Sequence, residues 1–472
     1  MRGIAQLLKD VLGKEKVYDD SAVVSLYIRE ASGLSSKELP LAVVFPESAK
    51  DVSVLLSYAY KHDIKVFPVG SSTSLSGSAV PINKGIVLST ERMRSLKEIR
   101  IVDSIVRAEP GLRIDELNLV LAKHGHMFPV DPASSSVATI GGAINTGAGG
   151  MRGAKYGTMR DWVLGLEIVL PDEKGTIMRI GCRTLKCRQG YDLVRLIVGS
   201  EGTLAVVTEA YLRITPLPEA TPTVLAFFDN LEDLVNTVQD IKERAIQPLL
   251  MEFLDAKTVS KASELINTPI KAKGNMLLVT VDTAREAASR VKEEISSIMR
   301  EHGASNIYTA SSLEEAEKKG FLALRKSLFP VQIALSRQIL GKNKVQVLIE
   351  DIAVPPSRLI EAVNEIRMLE EKYGLQTIMG GHIGDGNLHP AVGFDPSDQA
   401  QVRRVHEWAT ELMRLAIRLG GTISAEHGIG LLKKEGLVME LKANNAIKAL
   451  EIMRKIKEAF DPKNILNPGK VI

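Results

Sequence analysis

Residues 70–79 read Gly-Ser-Ser-Thr-Ser-Leu-Ser-Gly-Ser-Ala, a loop of small residues with the chemistry of a cofactor site. A run with a single leucine cannot form a hydrophobic core, but it lets backbone N–H groups and hydroxyls approach a diphosphate closely. The spacing matches neither Gly-x-Gly-x-x-Gly nor Gly-x-x-x-x-Gly-Lys-Ser/Thr, so neither a Rossmann nor a Walker site is indicated. A flexible linker is the alternative, and the strands on both sides argue against it.

Strand and helix patterns surround this loop. Residues 41–46 predict a buried strand closed by proline, and residues 51–59 predict a helix with Ser48 as its N-cap. Residues 65–69 predict a second strand directly before the loop, and residues 85–89 predict another one after it. The loop therefore follows a βαβ unit.

Two further glycine-rich stretches follow in the same half of the chain. Residues 131–157 contain repeated glycines among alanine, serine and threonine, and residues 199–204 read Gly-Ser-Glu-Gly-Thr-Leu. Long stretches of this kind in one domain indicate one extended ligand, because small residues let the backbone approach it along its length. A β-rich run at 205–214 and the prolines of 216–218 then end the domain.

Residues 380–390, Gly-Gly-His-Ile-Gly-Asp-Gly-Asn-Leu-His-Pro, hold two of the eight histidines of the chain. Asp385-Gly386 is a strong signal for a two-residue hairpin turn, which would pair His382 directly with His389. Directly opposed strand residues have Cβ atoms about 4.5–5.5 Å apart, so two imidazoles could bind one divalent ion. A tight turn without a metal is the alternative.

A third metal ligand is expected from residues 424–430, Ser-Ala-Glu-His-Gly-Ile-Gly. Glu426 and His427 stand side by side there, between small residues. Two histidines and one carboxylate leave a position open for substrate, and zinc, manganese, iron or cobalt would each fit. The predicted metal ligands are therefore His382, His389 and Glu426.

The composition is that of a soluble globular protein, with 25% charged and 45% hydrophobic residues and a net charge of +3. No apolar run approaches the ~18 residues that span a bilayer, and the charge is too small to indicate nucleic acid. Residues 1–30 have a helical pattern without the features of a signal peptide, so a cytoplasmic location is expected. Cys182 and Cys187 are not spaced as Cys-x-x-Cys, so they are expected to be reduced thiols without a redox role.

Six motifs in a fixed order carry a family resemblance, namely residues 68–81, 131–157, 190–204, 380–389, 426–430 and 467–470. Together they resemble the FAD-linked D-2-hydroxyacid dehydrogenases of the vanillyl-alcohol oxidase superfamily. That branch includes D-lactate dehydrogenases and the flavin subunit of glycolate oxidase. The likeness covers almost the whole chain, and it is more specific for the superfamily than for the substrate.

The resemblance implies an α+β fold in three segments. Residues 1–215 would form a two-subdomain FAD-binding domain of the vanillyl-alcohol oxidase (PCMH) type. Residues 216–420 would form an α+β substrate-cap domain with an antiparallel sheet, and residues 421–472 a helical segment that packs back on the FAD-binding domain. The residue patterns agree, with strands at 277–281 and 345–349 and helices at 284–300 and 356–373.

The resemblance also implies an FAD site, whose residues lie mostly in the glycine-rich motifs. They are Pro68, Gly70, Ser71, Ser72, Thr73, Ser74, Gly77, Ser78, Pro132, Thr139, Gly141, Gly142, Asn145, Gly149, Gly157, Gly202, Val207 and Asn467. Some members of the family tether FAD through a histidine in the early loops. Residues 70–79 contain no histidine, so FAD is expected to bind without a covalent bond.

The chemistry of such an enzyme defines further roles. Oxidation of an α-hydroxy acid removes the hydroxyl proton and sends the Cα hydride to flavin N5, so the site needs a base, an acidifying group and a cation for the carboxylate. His427 is the predicted base, and a divalent metal, zinc or manganese first, is the predicted Lewis acid. The resemblance supplies Arg325 as the partner of the substrate carboxylate, and Asn387 as a residue that orients the substrate or a metal ligand.

Ile349 bears on the choice of substrate. Members that oxidise D-2-hydroxyglutarate carry a lysine at this place, so an additional cation for a second carboxylate is not evident. D-lactate is therefore expected first, and glycolate or D-2-hydroxybutyrate next. No dinucleotide fingerprint is visible, which argues against NAD and leaves quinone, cytochrome, electron-transfer flavoprotein or oxygen as acceptors.

Alternatives from other functional classes stay open. One is a non-redox enzyme of the alkyl-dihydroxyacetone-phosphate synthase type, and another is a flavin-binding subunit of a glycolate oxidase-like complex. The sequence also leaves open a D-2-hydroxyglutarate dehydrogenase, a homodimer, and a peripheral location at the inner face of the membrane.

Overall fold

A computed structural model describes residues 3–266, 269–342 and 344–472. These residues form two compact units. The first, called the FAD unit below, contains residues up to 149 together with 158–217 and 426–472. The second, called the cap unit, contains residues 150–157 and the described part of 218–425. The sequence predicts boundaries after 215 and 420, whereas the units change after 217 and 425.

The strands of the described residues are, in chain order, β1 Val17–Tyr18, β2 Ala42–Val44, β3 Val66–Val69, β4 Ile86–Ser89, β5 Leu96–Arg100, β6 Ile105–Ala108, β7 His126–Met127, β8 Val163–Val169, β9 Ile177–Gly181, β10 Val206–Arg213, β11 Thr215–Pro216, β12 Thr223–Phe228, β13 Leu250–Leu254, β14 Asn275–Thr280, β15 Ser305–Ala310, β16 Gln346–Ile349, β17 Ile352–Ala353, β18 Thr377–His382 and β19 Asn387–Phe394.

The α-helices of the described residues are, in chain order, α1 Ile4–Leu12, α2 Ser21–Val24, α3 Ala49–His62, α4 Ile114–Ala122, α5 Ile140–Thr146, α6 Gly153–Tyr156, α7 Met159–Trp162, α8 Leu193–Ile197, α9 Leu231–Glu243, α10 Ala256–Leu265, α11 Ala288–Glu301, α12 Leu313–Lys318, α13 Phe321–Lys326, α14 Leu328–Leu340, α15 Leu359–Tyr373, α16 Gln399–Arg418, α17 Lys434–Ala443 and α18 Lys448–Phe460. Among the described residues, none of these helices has both the length and the apolar character needed to cross a bilayer.

The FAD unit contains two main sheets. One has the order β1-β2-β4-β3, with β2 and β3 parallel to β4, and the other has the antiparallel order β5-β6-β10-β8-β9. The predicted βαβ unit is confirmed as β2, α3 and β3, and the predicted N-cap Ser48 accepts from the backbone N–H of Asp51 at 3.2 Å. The core strands are apolar on both faces, because Leu55 and Leu56 of α3 belong to one buried cluster and the alternate strand residues, such as Val43 and Val87, belong to a second one.

The end of the chain completes the first of these sheets. Beyond α18, Ile465 accepts from the backbone N–H of Val66 at 2.8 Å, and the backbone N–H of Asn467 donates to Val66 at 2.8 Å. Leu466 is fully buried in the same core. The expected helical return is confirmed, and it ends as an extended segment beside β3.

Two predictions for the FAD unit are wrong. Residues 3–30 do not form one helix, because α1 ends before Gly13, whose φ of 101° is in the region that favours glycine. Cys182 and Cys187 are not separate thiols, because they are joined in a disulfide with Cα atoms 5.8 Å apart. The first of these cysteines follows Gly181, the last residue of β9, whose φ is 74°.

The cap unit is built on one sheet of order β15-β12-β14-β13-β18-β19-β16, and β17 pairs with β19. All its strand pairs are antiparallel, as predicted. Alternate residues of β12 enter two different cores: Val224 and Phe228 pack with α9, α11, α15 and α16, whereas Phe227 packs with α10, α13 and α14. The sheet is therefore covered on both faces, which explains its nearly continuous apolar strands. The α+β fold class is confirmed.

Candidate functional site

The FAD unit contains an open cavity of about 200 Å³ beside the glycine-rich loop 70–79. Its walls contain many of the residues predicted to bind FAD, which are Pro68, Gly70, Ser71, Ser72, Thr73, Ser74, Ser78, Pro132, Thr139, Gly142, Asn145 and Gly149. The structure thus brings together parts of the first two glycine-rich stretches.

Small residues shape this cavity. A Cβ atom on Gly70 would lie 2.5 Å from Oγ1 of Thr139, and one on Gly142 would lie 3.1 Å from the same oxygen. The buried Oδ1 atom of Asn145 accepts no hydrogen bond from the described residues. A backbone that larger residues would obstruct, together with an unsatisfied acceptor, fits a polar ligand such as FAD.

The other predicted FAD residues lie beside or away from the cavity wall. Gly77 and Asn467 are in its supporting layer, where the Asn467 amide donates to the carbonyls of Ser78 at 2.8 Å and Glu201 at 2.7 Å. Three more lie elsewhere in the FAD unit: Gly141 against Pro110, Gly202 near Asn145 and Pro68, and Val207 within β10. Gly157 belongs to the cap unit. Their roles in binding FAD stay predictions.

A cluster of buried charge supports the glycine-rich loop. Glu30 accepts from the backbone N–H groups of Gly77 and of Ala79, the latter at 2.9 Å. Lys470 is 1% exposed and donates to the carbonyls of Gly77 at 2.7 Å and Val80. Burial lowers the pKa of Lys470 to about 8, and burial raises the pKa of Glu30. The loop is therefore held by charged side chains that bond to its backbone.

Glu426 and His427 line the cavity of the FAD unit. A Cβ atom on Gly149 would lie 2.8 Å from Oε2 of Glu426, so glycine lets the carboxylate come close to the second glycine-rich stretch. Glu426 and His427 offer ligand atoms within 4.8 Å of one another. The predicted metal ligand and the predicted base are thus neighbours at this cavity.

The histidine hairpin of the cap unit differs in register from the prediction. β18 and β19 pair His382 with Asn387 and Gly380 with His389, around a loop formed by residues 383–386. The prediction of a two-residue turn is wrong, because the loop contains four residues. Its first residue, Ile383, is fully buried in the core. The two imidazoles nevertheless share one face, with ring centroids 5.4 Å apart.

A buried carboxylate of β13 joins the predicted metal ligand to the predicted substrate-binding arginine. Glu252 is 0% exposed, accepts from Arg325 Nε at 2.5 Å and lies 2.7 Å from His382 Nδ1. With Nδ1 donating to Glu252, His382 keeps Nε2 as the ligand atom, which is the usual arrangement of a metal-binding histidine. Because Arg325 binds Glu252 through Nε, its Nη atoms can face another anion.

His389 has the same kind of support. Its Nδ1 atom lies 3.3 Å from the carbonyl of Glu350 and 3.8 Å from Oδ1 of Asp351, and the side chain is 4% exposed. Asn387 donates to Asp351 Oδ1 at 2.9 Å, and Ser424 donates to its Oδ2 at 2.9 Å. His389 and Asp351 offer ligand atoms within 4.8 Å of one another, whereas the role of His382 as a metal ligand stays a prediction.

Sequence reasoning missed Glu30, Glu201, Glu252, Asp351 and Lys470. Glu252 had a visible signal, because it is a single carboxylate within the apolar strand Leu-Met-Glu-Phe-Leu. Glu201 and Lys470 stand within quoted motifs, but nothing in the motifs distinguishes a ligand contact from structural support. Glu30 carries no comparable signal.

Comparisons with known proteins identify the family of this chain. Residues 217–471 match the family model for FAD linked oxidases, C-terminal domain, and residues 40–181 match the model for the FAD binding domain. The chain is 37% identical over 473 residues to the glycolate oxidase subunit GlcD of Bacillus subtilis (strain 168), covering 100% of this chain and 97% of that protein. It is also 37% identical over 435 residues to a D-lactate dehydrogenase of Archaeoglobus fulgidus, covering 91% of each.

A solved structure gives the same fold. The chain matches p-cresol methylhydroxylase with substrate bound at a TM-score of 0.78 and 16% identity, covering 99% of this chain and 96% of that chain. The protein is thus an FAD-linked oxidoreductase, as the two matching family models indicate. The chain belongs to the FAD-linked oxidases of the vanillyl-alcohol oxidase superfamily, in the branch that contains D-lactate dehydrogenases and glycolate oxidase subunit GlcD.

Proposed function

We propose that the protein oxidises a small D-2-hydroxy acid, D-lactate first, to the corresponding 2-oxo acid. FAD, when bound, would accept the hydride that leaves the substrate Cα. The observation that carries the proposal is the cluster of Arg325, Glu252 and His382, because it holds a guanidinium suited to a carboxylate beside an imidazole suited to a metal. The D-lactate dehydrogenase relative supports the same reaction class.

Arg325 would bind the substrate carboxylate. Its side chain is 8% exposed and its Nε atom is held by Glu252, so the guanidinium has little rotational freedom. A fixed planar fork suits bidentate binding of a carboxylate better than a flexible ammonium does. Ile349 at the place of the lysine in D-2-hydroxyglutarate enzymes favours a substrate with one carboxylate.

A divalent ion, zinc or manganese, would be held by His382, His389 and Glu426. The Nδ1 atoms of His382 and His389 each lie beside an acceptor, which favours Nε2 as the ligand atom. Asp351 is an alternative oxygen ligand, because it and His389 offer ligand atoms within 4.8 Å of one another. When bound, such an ion would supply Lewis acidity toward the substrate hydroxyl.

His427 would accept the proton of the substrate hydroxyl. It lines the FAD-unit cavity, and an imidazole is the side chain that most often serves as a general base. Asn387 would act as a positioning residue, because its amide holds Asp351.

FAD would be bound without a covalent tether. Among the described residues that line the cavity, His427 is the only histidine and no cysteine is present. Acid precipitation tests this proposal: the yellow flavin is expected in the supernatant, and colour in the protein pellet would contradict it. Quinone, cytochrome or electron-transfer flavoprotein would serve as the electron acceptor, and a cytoplasmic location stays a prediction.

The decisive experiment is an anaerobic titration of the FAD-loaded protein with D-lactate, L-lactate, glycolate and D-2-hydroxyglutarate. The oxidised flavin absorbs near ~450 nm, a general property of the cofactor. D-lactate is expected to bleach this band and L-lactate is not. If only D-2-hydroxyglutarate bleaches the flavin, the proposed substrate is wrong and D-2-hydroxyglutarate takes its place. If no compound bleaches the flavin after metal has been replenished, the proposal is overturned in favour of a non-redox synthase or a subunit that needs partners.

Two variants separate the base from the rest of the site. His427→Ala is expected to keep FAD and metal but lose bleaching by D-lactate. His406→Ala, which changes an exposed histidine of α16, is the matched control and should react like the unchanged protein. Bleaching at a normal rate by His427→Ala would remove this residue from the proposed reaction.

A further inference from the structure

We propose that Glu201, together with Glu30 and Lys470, positions the turn 428–430 relative to the glycine-rich loop 70–79, so that FAD binding and the placement of His427 depend on each other. The part that concerns His427 rests on the proposed function. All the residues involved belong to the FAD unit.

Glu201 holds the turn that follows His427. Its Oε1 atom accepts from the backbone N–H groups of Ile429 at 2.6 Å and Gly430 at 3.1 Å, and its Oε2 atom lies 2.9 Å from the same Gly430 nitrogen. Gly428 approaches so closely that a Cβ atom there would lie 2.6 Å from Oε1. The carboxylate therefore fixes the path of the chain directly after the proposed base.

The backbone of Glu201 connects this turn to the cavity wall. Its N–H donates to the carbonyl of Asn145 at 2.7 Å, and its carbonyl accepts from Asn467 at 2.7 Å. Glu201 has a φ of 52°, an unusual conformation for a residue other than glycine, and it lines the cavity. Such a conformation persists where the surrounding contacts hold it.

The glycine-rich loop and the turn are also bonded to each other. The carbonyl of Ser76 accepts from the backbone N–H groups of Leu431 at 2.8 Å and Leu432 at 3.1 Å. Gly430 has a φ of 49°, and a Cβ atom there would lie 2.2 Å from the Ser76 carbonyl oxygen. The two segments therefore share a backbone interface that only glycine permits.

Glu30 and Lys470 complete the connection from the side of the loop. Glu30 accepts from the N–H groups of Gly77 and Ala79, and Lys470 donates to the carbonyls of Gly77 and Val80. The charge of Lys470 acts favourably on both carboxylates, whereas Glu30 and Glu201 repel each other. One buried cation thus balances the two carboxylates that hold the two segments.

Hydrogen exchange on the full-length protein tests this connection without substrate. In the unchanged protein, FAD is expected to slow exchange in the peptide of residues 428–432. In Glu201→Gln, which keeps the size but removes the charge, exchange in this peptide should be about 10- to 100-fold faster, as expected for the loss of hydrogen bonds to a charged acceptor. FAD should also bind several-fold more weakly to this variant.

Glu109→Gln is the matched control. Glu109 is a buried carboxylate of the same unit that accepts from the N–H of Ser95 at 2.8 Å and pairs with Lys97 at 2.7 Å. This variant should leave both FAD affinity and exchange of 428–432 unchanged. If Glu201→Gln does not fold, Glu30→Gln provides the same test, because FAD affinity and exchange of 428–432 should change together.

The outcomes separate the two proposals. The inference would be overturned if exchange of 428–432 is unchanged in Glu201→Gln and in Glu30→Gln. It would also be overturned if FAD affinity falls in these variants without any change in that exchange. If the expected exchange pattern is found while D-lactate fails to bleach the flavin, the connection between loop and turn stands and the proposed reaction fails.

Discussion

The two units bury charge in different ways. In the FAD unit, Glu30 and Glu201 accept mainly from backbone N–H groups. In the cap unit, Glu252 accepts from the side chains of Arg325 and His382. The first arrangement fixes the path of two chain segments, whereas the second fixes two functional groups. The difference implies that charge removal should harm the cap unit more, because there it leaves an opposite charge buried without its partner.

The largest effect is expected from Arg325→Met. This change leaves the fully buried Glu252 carboxylate without its guanidinium, and breaking such a pair costs about 3–5 kcal/mol of the free energy of unfolding. Chemical denaturation of the cap unit measures the loss. The double variant Arg325→Met with Glu252→Met should regain most of it, because no unpaired charge remains. Equal losses in the single and double variants would contradict this account.

A somewhat smaller effect is expected from pH on the flavin-free FAD unit. Burial raises the pKa of Glu201 from 4.5 to about 7. The unfolded chain therefore loses this proton at lower pH than the folded protein, so stability falls as pH rises between about 4.5 and 7, by up to ~3 kcal/mol. Denaturation at several pH values should show this slope, and Glu201→Gln should reduce it. An identical slope in the variant would mean that another group titrates.

A still smaller effect, on metal affinity, is expected for Glu252→Gln, which keeps the size of the side chain. Loss of the carboxylate behind a metal-binding histidine typically weakens metal affinity about 10- to 100-fold. Competition between the protein and a chromophoric zinc chelator measures this affinity. Asp255→Asn is the control, because Asp255 is a half-buried carboxylate of the cap unit that accepts from the backbone N–H groups of Thr258 and Met379 instead of from a histidine. Equal zinc affinity in both variants would show that Glu252 does not support metal binding.

The smallest effect is expected at an exposed ion pair. Glu314 and Lys318 of α12 are 2.6 Å apart, with both side chains more than 70% exposed. Solvent screens such pairs, so Lys318→Met should leave the denaturation midpoint unchanged within error. A clear loss of stability here would weaken the distinction between buried and exposed charge on which the comparison depends.

The hairpin shows how far the sequence could predict the site. The Asp385-Gly386 signal predicts the two strands and the shared face of the histidines, but the register is shifted by two residues. Side chains alternate between faces with a period of two, so such a shift keeps both imidazoles on one face. The burial of Ile383 that causes the shift depends on the core, which local turn preferences do not describe.

Interactions between distant segments limited the remaining predictions. The apolar pattern predicts β2, α3 and β3 because each depends on nearby residues. The contact of Glu252 with Arg325 joins positions 73 residues apart, and the presence of a carboxylate in the sequence does not indicate which residue it binds. The disulfide needs an approach of two Cα atoms to 5.8 Å, and cysteine spacing alone does not establish such an approach.

The discontinuity of the FAD unit has a consequence for biosynthesis. Residues 426–472 belong to this unit, and its first sheet gains the partner Leu466 only near the end of the chain. The ribosome therefore delivers the whole segment 218–425 before the FAD unit can be completed. During translation, the cap unit can form its core while β3 still lacks its last neighbour, and the unfinished edge stays exposed to other nascent chains or chaperones.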